Sequence, residues 1–332
     1  MKKTTAMSKQ RVHHGLRAGL VPAPISFRGA AGMVLLLHAS LSILFQIGWV
    51  GMPDGWLGIF KDSMEGYVIA AIIMQGICIL LPTLYVIFRF RIPADTVLAI
   101  TGSSPVRLLM AFIIGIPAAF VFTGLNNGFI YLLSRMDIFL PSSRLPEWTA
   151  YQGPVSFTVI LMVSVLLPGI IEELMFRGVI QGSLESEGGR VSVIIIQAFA
   201  FSVFHSDPLF ILAPFLAGLL LGYLRQKTGS IFTGILAHIS LNLTMLVMQP
   251  LLPRITSEYF TMTASLQTLY TSLLAACVAA VALIPMLLIF STLPGKAAVA
   301  EKKTRFSFIE WKFILASLLM ISVLLFSYFA DS

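Results

Sequence analysis

The sequence predicts an all-α integral membrane protein, and three observations carry that prediction. The chain has 332 residues, of which 57% are hydrophobic and only 11% are charged. Its mean hydropathy is +0.91, well outside the range of soluble globular domains. Several apolar runs are about 20 residues long, the length at which a helix spans a hydrocarbon core roughly 30 Å thick. Barrel strands would instead read as short alternating segments, so we expect helices.

Nine apolar segments are predicted to form the helices of one polytopic bundle, of which eight to nine cross the membrane. The fifth and sixth segments are short, and merging them would lower the count. Asp207 and Pro208 between them favour two helices, because Asp-Pro is a turn signal and proline disfavours helix in the residue before it. The nine segments span residues 31–52, 67–88, 108–133, 155–182, 191–205, 209–224, 231–248, 268–290 and 308–329.

Basic residues are distributed unevenly along the chain. The first thirty residues carry six lysines and arginines and no acidic residue, so the positive-inside rule places this arm in the cytoplasm. Alternation from that start puts most basic loop residues on the cytoplasmic side and the C-terminus outside. Membrane orientation therefore accounts for the net charge of +7. No basic helix or RNA-type motif accompanies it, so the expected partners are anionic lipid head groups and not nucleic acid.

Three charged side chains lie inside the apolar run VLLPGIIEELMFRGVI. An ionisable group at the centre of a membrane helix costs about 2.5–3.5 kcal/mol or more, which makes it a candidate functional residue. Glu173 and Arg177 are four residues apart and can pair, which leaves Glu172 about 100° away on another face. Pro168 is expected to kink the helix just before the glutamates. We predict that the pair braces the helix and leaves Glu172 available for chemistry; a pair that only fixes helix packing is the structural alternative.

Two histidines and an asparagine are predicted to lie at the depth of Glu172. Glu172 and His205 are each sixteen residues from a glycine turn at 188–189, or roughly 24 Å along antiparallel helices, so they would lie level. His238 and Asn242 are four residues apart and share one face of the seventh segment, at a similar depth. Four polar groups from three helices are therefore expected to converge.

At these residues the sequence resembles a family of intramembrane proteases, the CAAX-processing and bacteriocin-processing family (CPBP, also called Abi), which is related to the type II CAAX prenyl endopeptidase. The family pattern EExxxR, FxxxH and HxxxN stands here, in that order, as EELMFR (172–177), FSVFH (201–205) and HISLN (238–242). This sequence has the family's residue at every position of the pattern. The resemblance covers roughly residues 155–250.

The resemblance implies hydrolysis of a peptide bond in a membrane cavity. It assigns Glu172 and His205 to the activation of a water, and His238 and Asn242 to the stabilisation of the oxyanion. The residues that it implies as structural support are Glu173, Arg177 and Phe201. The chain then divides into a basic cytoplasmic arm (1–30), N-terminal transmembrane helices (31–150), the protease core (151–250) and C-terminal transmembrane helices (251–332).

Zinc is a candidate cofactor. Glu172, His205 and His238 could form a site of the His₂Glu kind with an open position. The HExxH arrangement, which sets two ligands and a base on neighbouring turns, is absent. Since members of the family have been named both metalloproteases and glutamate proteases, the sequence leaves both mechanisms open.

The expected substrate is a peptide or a membrane-anchored protein, prenylated CAAX proteins included, and the expected location is a bacterial cell membrane. The sequence does not specify an oligomeric state. A non-catalytic membrane protein, such as a bacteriocin immunity factor or a scaffold, is the alternative function. A transporter ranks lower, because no pair of discontinuous helices occupies corresponding halves of the chain.

Overall fold

A computed structural model of the chain describes residues 27–50, 64–136, 138, 154–185, 188–205, 210–248, 262–294 and 311–330. Regular structure within these ranges is helical and includes no strand, as predicted for an all-α protein. Residues 1–26 of the predicted basic arm lie outside the described residues, and so do Asp207 and Pro208.

Nine helical segments run through the described part of the chain, one in each predicted apolar segment. The fifth ends at Phe204 and the sixth begins at Leu212, so the two short segments form separate helices. The helices are α1 (Arg28–Val50), α2 (64–90), α3 (Pro105–Arg135), α4 (154–185), α5 (Arg190–Phe204), α6 (Leu212–Thr228), α7 (Ile231–Met248), α8 (Met262–Thr292) and α9 (Trp311–Ala330).

Five of the described helices are long and apolar enough to cross a membrane. Helices α1, α5 and α9 contribute shorter apolar stretches; α5, for example, has 15 residues and measures only about 22 Å. The predicted count of eight to nine crossing helices is therefore not confirmed within the described residues. The five candidate spans are Glu65–Phe90, Pro105–Arg135, Ser156–Glu185, Ile231–Met248 and Leu266–Thr292.

Helices α2 and α4 are not uniformly α-helical. Helix α2 contains a π-helical stretch at Ile73–Leu80, and α4 contains two, at Met162–Leu166 and Leu174–Gln181. Stretches of this kind widen the helix locally and are frequent at functional sites. In this protein two of them lie on α4, the helix that carries Glu172, Glu173 and Arg177.

Buried apolar side chains form two main clusters. The first joins α1, α2, α4, α5 and α9, and the second joins α3, α6, α7 and α8. Helices α4 and α7 therefore belong to different clusters, and they meet where Gly169 lies against Ile239. A Cβ added to Gly169 would lie 2.6 Å from Cγ1 of Ile239, so the glycine is what permits this close approach. The polar site lies at this junction.

His38 connects α1 with α2 and α5. Its Nδ1 donates to the carbonyl of Cys78 over 2.7 Å, and Nε2 lies 3.0 Å from the hydroxyl oxygen of Ser42. The ring stacks on Phe204 with 3.6 Å between ring centres. These contacts explain His38 as a structural histidine that holds helices together.

Candidate active site

Glu173 and Arg177 form the buried ion pair that their spacing predicts. Nη1 of Arg177 donates to Oε1 of Glu173 over 2.6 Å, and both side chains are fully buried. The guanidinium carbon also lies 4.3 Å from the ring centre of Phe201, so the ring face contributes to balancing the charge. A buried ion pair needs such additional partners, because both charges have been removed from water. Phe201 therefore supports the pair from α5.

His238 of α7 contacts the same carboxylate. Its Nδ1 lies 3.0 Å from Oε1 of Glu173, and this nitrogen is the donor because an ionised carboxylate only accepts hydrogen bonds. The bond orients the ring so that Nε2 faces Glu172, whose Oε2 lies 4.0 Å away. That separation is too long for a direct hydrogen bond, and a gap of this kind is commonly bridged by one water.

The two glutamates differ in exposure and in partners. Glu173 is fully buried, whereas the side chain of Glu172 is 12% exposed. Oε1 of Glu172 accepts a hydrogen bond of 2.7 Å from Nε2 of Gln75 on α2. Its Oε2 is the oxygen that faces His238. Glu172 therefore has one oxygen fixed by a donor and one oxygen turned towards the gap, an arrangement suited to a general base.

Asn242, one turn after His238 on α7, is held by the irregular part of α4. Its Nδ2 donates to the backbone carbonyl of Ser164 over 3.4 Å. In a regular α-helix the carbonyl of Ser164 would accept a hydrogen bond from the N–H of residue 168, but Pro168 has no N–H. Ser164 belongs to the π-helical stretch Met162–Leu166. The helix is therefore widened just before Pro168, and a carbonyl of the widened turn binds Asn242.

His205 lies at the C-terminal end of α5, where it is exposed. Its Nδ1 donates to the carbonyl of Phe201 over 2.7 Å, and its ring packs edge-on against the Phe201 ring at 4.7 Å between centres. The same Phe201 ring packs edge-on against His238 at 5.8 Å. The described contacts therefore join His205 to the site through Phe201, whereas they place His238 directly beside both glutamates.

Two residues of α2 contact the site and are absent from the predicted set. Gln75 binds Glu172, and the hydroxyl of Tyr67 lies 2.8 Å from Oγ of Ser164. A glutamine inside the apolar run IIMQGICIL is a recognisable signal, because such a side chain usually bonds another helix. The signal does not identify the partner, which here is 97 residues away along the chain.

The predicted zinc site can be compared with this geometry. A His₂Glu site needs three side chains that converge on one point. Among the described residues, no group of three or more His, Cys, Asp or Glu side chains lies close enough to bind a metal ion, so Glu172, His205 and His238 do not form such a set. The involvement of zinc stays a prediction.

Gly234 on α7 lies directly against the buried pair, which gives a first testable prediction. A Cβ at this position would overlap Oε2 of Glu173, and overpacking of this kind typically costs about 1–3 kcal/mol. We expect Gly234→Ala to lower the thermal unfolding midpoint in detergent. Gly76→Ala is the matched control, because no neighbouring heavy atom lies within 4 Å of its added Cβ. Equal changes in the two variants would contradict the prediction.

Comparison with known families supports the resemblance inferred from the motifs. Residues 154–244 match the family described as Type II CAAX prenyl endopeptidase Rce1-like. The matched segment runs from the start of α4 into α7 and includes all three motifs. No curated protein matches the chain. The resemblance to CAAX-type intramembrane proteases is thus confirmed, and at the level of the family the match implies an endopeptidase embedded in a membrane.

Proposed function

We propose that this protein is an intramembrane endopeptidase that hydrolyses a peptide bond of a membrane-associated or prenylated, CAAX-type peptide or protein. The observation that carries the proposal is the arrangement of Glu172. One of its oxygens is bound by Gln75 and the other faces His238 across 4.0 Å. This carboxylate lies in an apolar helix inside the segment that matches the protease family.

A water in the gap between Glu172 and His238 is the proposed nucleophile. A water oxygen about 2.8 Å from both facing atoms would subtend an angle of roughly 90°, which is compatible with two hydrogen bonds. Oε2 of Glu172 takes one proton from this water while the water oxygen attacks the carbonyl carbon of the substrate. His205, whose ring packs against Phe201, is proposed to orient the water. General base catalysis of this kind contributes roughly 10²- to 10⁴-fold.

His238 and Asn242 are proposed to stabilise the oxyanion of the tetrahedral intermediate. The hydrogen bond from the Asn242 amide to the Ser164 carbonyl is long, at 3.4 Å. The amide can exchange this weak bond for a stronger one to a negatively charged oxygen. A protonated His238 would donate a hydrogen bond from Nε2. Its positive charge would also bring the summed charge of Glu172, Glu173, Arg177 and His238 to zero. Donors of this type contribute typically about 3–4 kcal/mol.

Collapse of the intermediate completes the reaction. The carbon–nitrogen bond breaks, and the proton that Glu172 received passes to the leaving amine, so the carboxylate is regenerated. Glu172 thus acts first as base and then as acid, and Glu173 and Arg177 stay paired throughout. Glu173 does not compete with Glu172 for the proton, because its negative charge is already compensated by Arg177.

We further propose that the protein resides in a bacterial cell membrane with its basic N-terminal arm in the cytoplasm. The several apolar helices of the described residues support an integral membrane protein. The orientation rests on the excess of lysine and arginine in the arm and in the loops on the same side.

The proposed function is tested by incubating purified, detergent-solubilised protein with quenched fluorescent peptides, farnesylated CAAX peptides included. We expect cleavage, and cleavage that survives a chelator would agree with the carboxylate of Glu172 acting as base without a metal. Loss of cleavage on chelation, with recovery on addition of zinc, would show a metalloprotease instead. No cleavage of any peptide by a folded protein would contradict the proposal and favour a non-catalytic role.

A further inference from the structure

We infer that Gln75 of α2 is a positioning residue of the reaction centre. Its hydrogen bond determines which of the two carboxylate oxygens of Glu172 acts as the base. The inference rests on the proposed function and extends it to a helix outside the matched segment 154–244. Neither the family match nor the three motifs assign a role to α2.

The contact between Gln75 and Glu172 is short and removed from solvent. Nε2 of Gln75 donates to Oε1 of Glu172 over 2.7 Å, and both residues are buried. A donor to an ionised carboxylate makes one of the stronger hydrogen bonds available to a protein. The low dielectric of a buried site strengthens such a bond further. The carboxylate is therefore fixed at one end by a side chain of another helix.

The bond divides the two oxygens of Glu172 between two tasks. Oε1 is occupied by Gln75, and Oε2 faces Nε2 of His238 at 4.0 Å. The last torsion of a glutamate is broad, so an untethered carboxylate can rotate and exchange its oxygens. With the tether, the oxygen that meets the water keeps one direction. Catalytic groups need to be held within about 0.5 Å and 10–20° of the productive geometry.

The partner of Gln75 distinguishes it from a packing residue. Gln197 is also a buried glutamine, and its amide donates to a backbone carbonyl of the neighbouring helix, that of Gly218, over 2.6 Å. Gln75 instead donates to the side chain that is proposed as the base. Within the described part of the chain, the Oε1 atoms of both glutamines are buried without a hydrogen-bond partner. The bond that orients the Gln75 amide there is the one to Glu172.

The rest of α2 agrees with a role in the site. Gln75 lies in the π-helical stretch Ile73–Leu80, and π-helical turns are frequent at functional sites. About two turns earlier, Tyr67 contacts Ser164, the residue whose carbonyl holds Asn242. Helix α2 thus contacts both the proposed base and the residue that positions an oxyanion donor.

The test compares Gln75→Met with Gln197→Met in the peptide cleavage assay. Both changes remove a buried amide and keep the length of the side chain. We expect Gln75→Met to lower kcat by about 100-fold, since a small misplacement of a catalytic group has an effect of that order, and to leave KM within about twofold, because the lost contact acts in the transition state. Gln197→Met should lower the unfolding midpoint and leave kcat within about twofold of wild type.

A second variant, Gln75→Glu, keeps the shape of the side chain and replaces the donor by an acceptor, and it should lose kcat likewise. Wild-type kcat in a folded Gln75→Met or Gln75→Glu protein overturns the assignment. Failure of both variants to fold overturns it too, because the amide would then be a structural brace. If wild type and both variants fold and none of them cleaves a peptide, the proposed function itself is wrong. The positioning role of Gln75 is then wrong too.

Discussion

Glu172→Gln is expected to abolish peptide cleavage while the protein stays folded. The amide has the size of the carboxyl group, and its oxygen can still accept the hydrogen bond from Gln75. It cannot take a proton from water, so the contribution of the general base, roughly 10²- to 10⁴-fold, is lost. The measurement is kcat with the best cleaved peptide, alongside the thermal unfolding midpoint in detergent.

Glu65→Gln is the matched control for this variant. Glu65 lies at the start of α2 and is exposed, so the same chemical change there should leave both kcat and the unfolding midpoint as in wild type. Full cleavage by Glu172→Gln would exclude Glu172 as the base. Loss of folding in that variant alone would instead assign the carboxylate a structural task.

Arg177→Met is expected to have the largest effect on stability. The change leaves the fully buried carboxylate of Glu173 without its guanidinium partner, and removal of one member of a buried ion pair costs about 3–5 kcal/mol. His238 still donates to Glu173, but a single imidazole also has to face Glu172. We expect a strongly lowered unfolding midpoint in detergent, and reduced yield of folded protein.

Two further variants test the cause of that loss. Glu173→Gln combined with Arg177→Met removes both charges and should recover much of the stability, because no unpaired charge is then buried. Arg225→Met is the matched single change: Arg225 is also buried, but its partner Glu185 has a side chain that is 28% exposed and can return to water. A loss in Arg225→Met equal to that in Arg177→Met would show that burial of the pair is not the cause.

The helices of this protein could be predicted from the sequence because their cause is local. In an apolar medium every backbone N–H and C=O must be paired within the segment, so each long apolar run becomes a helix. The same reasoning places Glu173 and Arg177 together, since residues four apart on a helix are neighbours. It did not establish how many helices cross the membrane, because short helices such as α5 do not have the length of a hydrocarbon core.

The candidate site could be predicted in its composition and in part of its geometry. Counting residues from a turn gives the height of a side chain along a helix, and on that basis Glu172 and His205 were expected to lie level, with His238 and Asn242 at a similar depth. In the structure His238 is the histidine that faces Glu172. The count does not give the direction in which a helix is rotated about its axis. His205 is accordingly joined to the site through Phe201 at the exposed end of α5.

The helical segments, the Glu173–Arg177 pair and the three motifs follow from the sequence alone, because each depends on spacing within one segment. The contacts of Gln75 with Glu172 and of His238 with Glu173 join residues 97 and 65 positions apart along the chain, and they are seen only in the folded bundle. These contacts depend on how helices rotate and pack against one another, which follows from the close fit of many side chains at once. The orientation of the proposed base is therefore a property of the packed bundle.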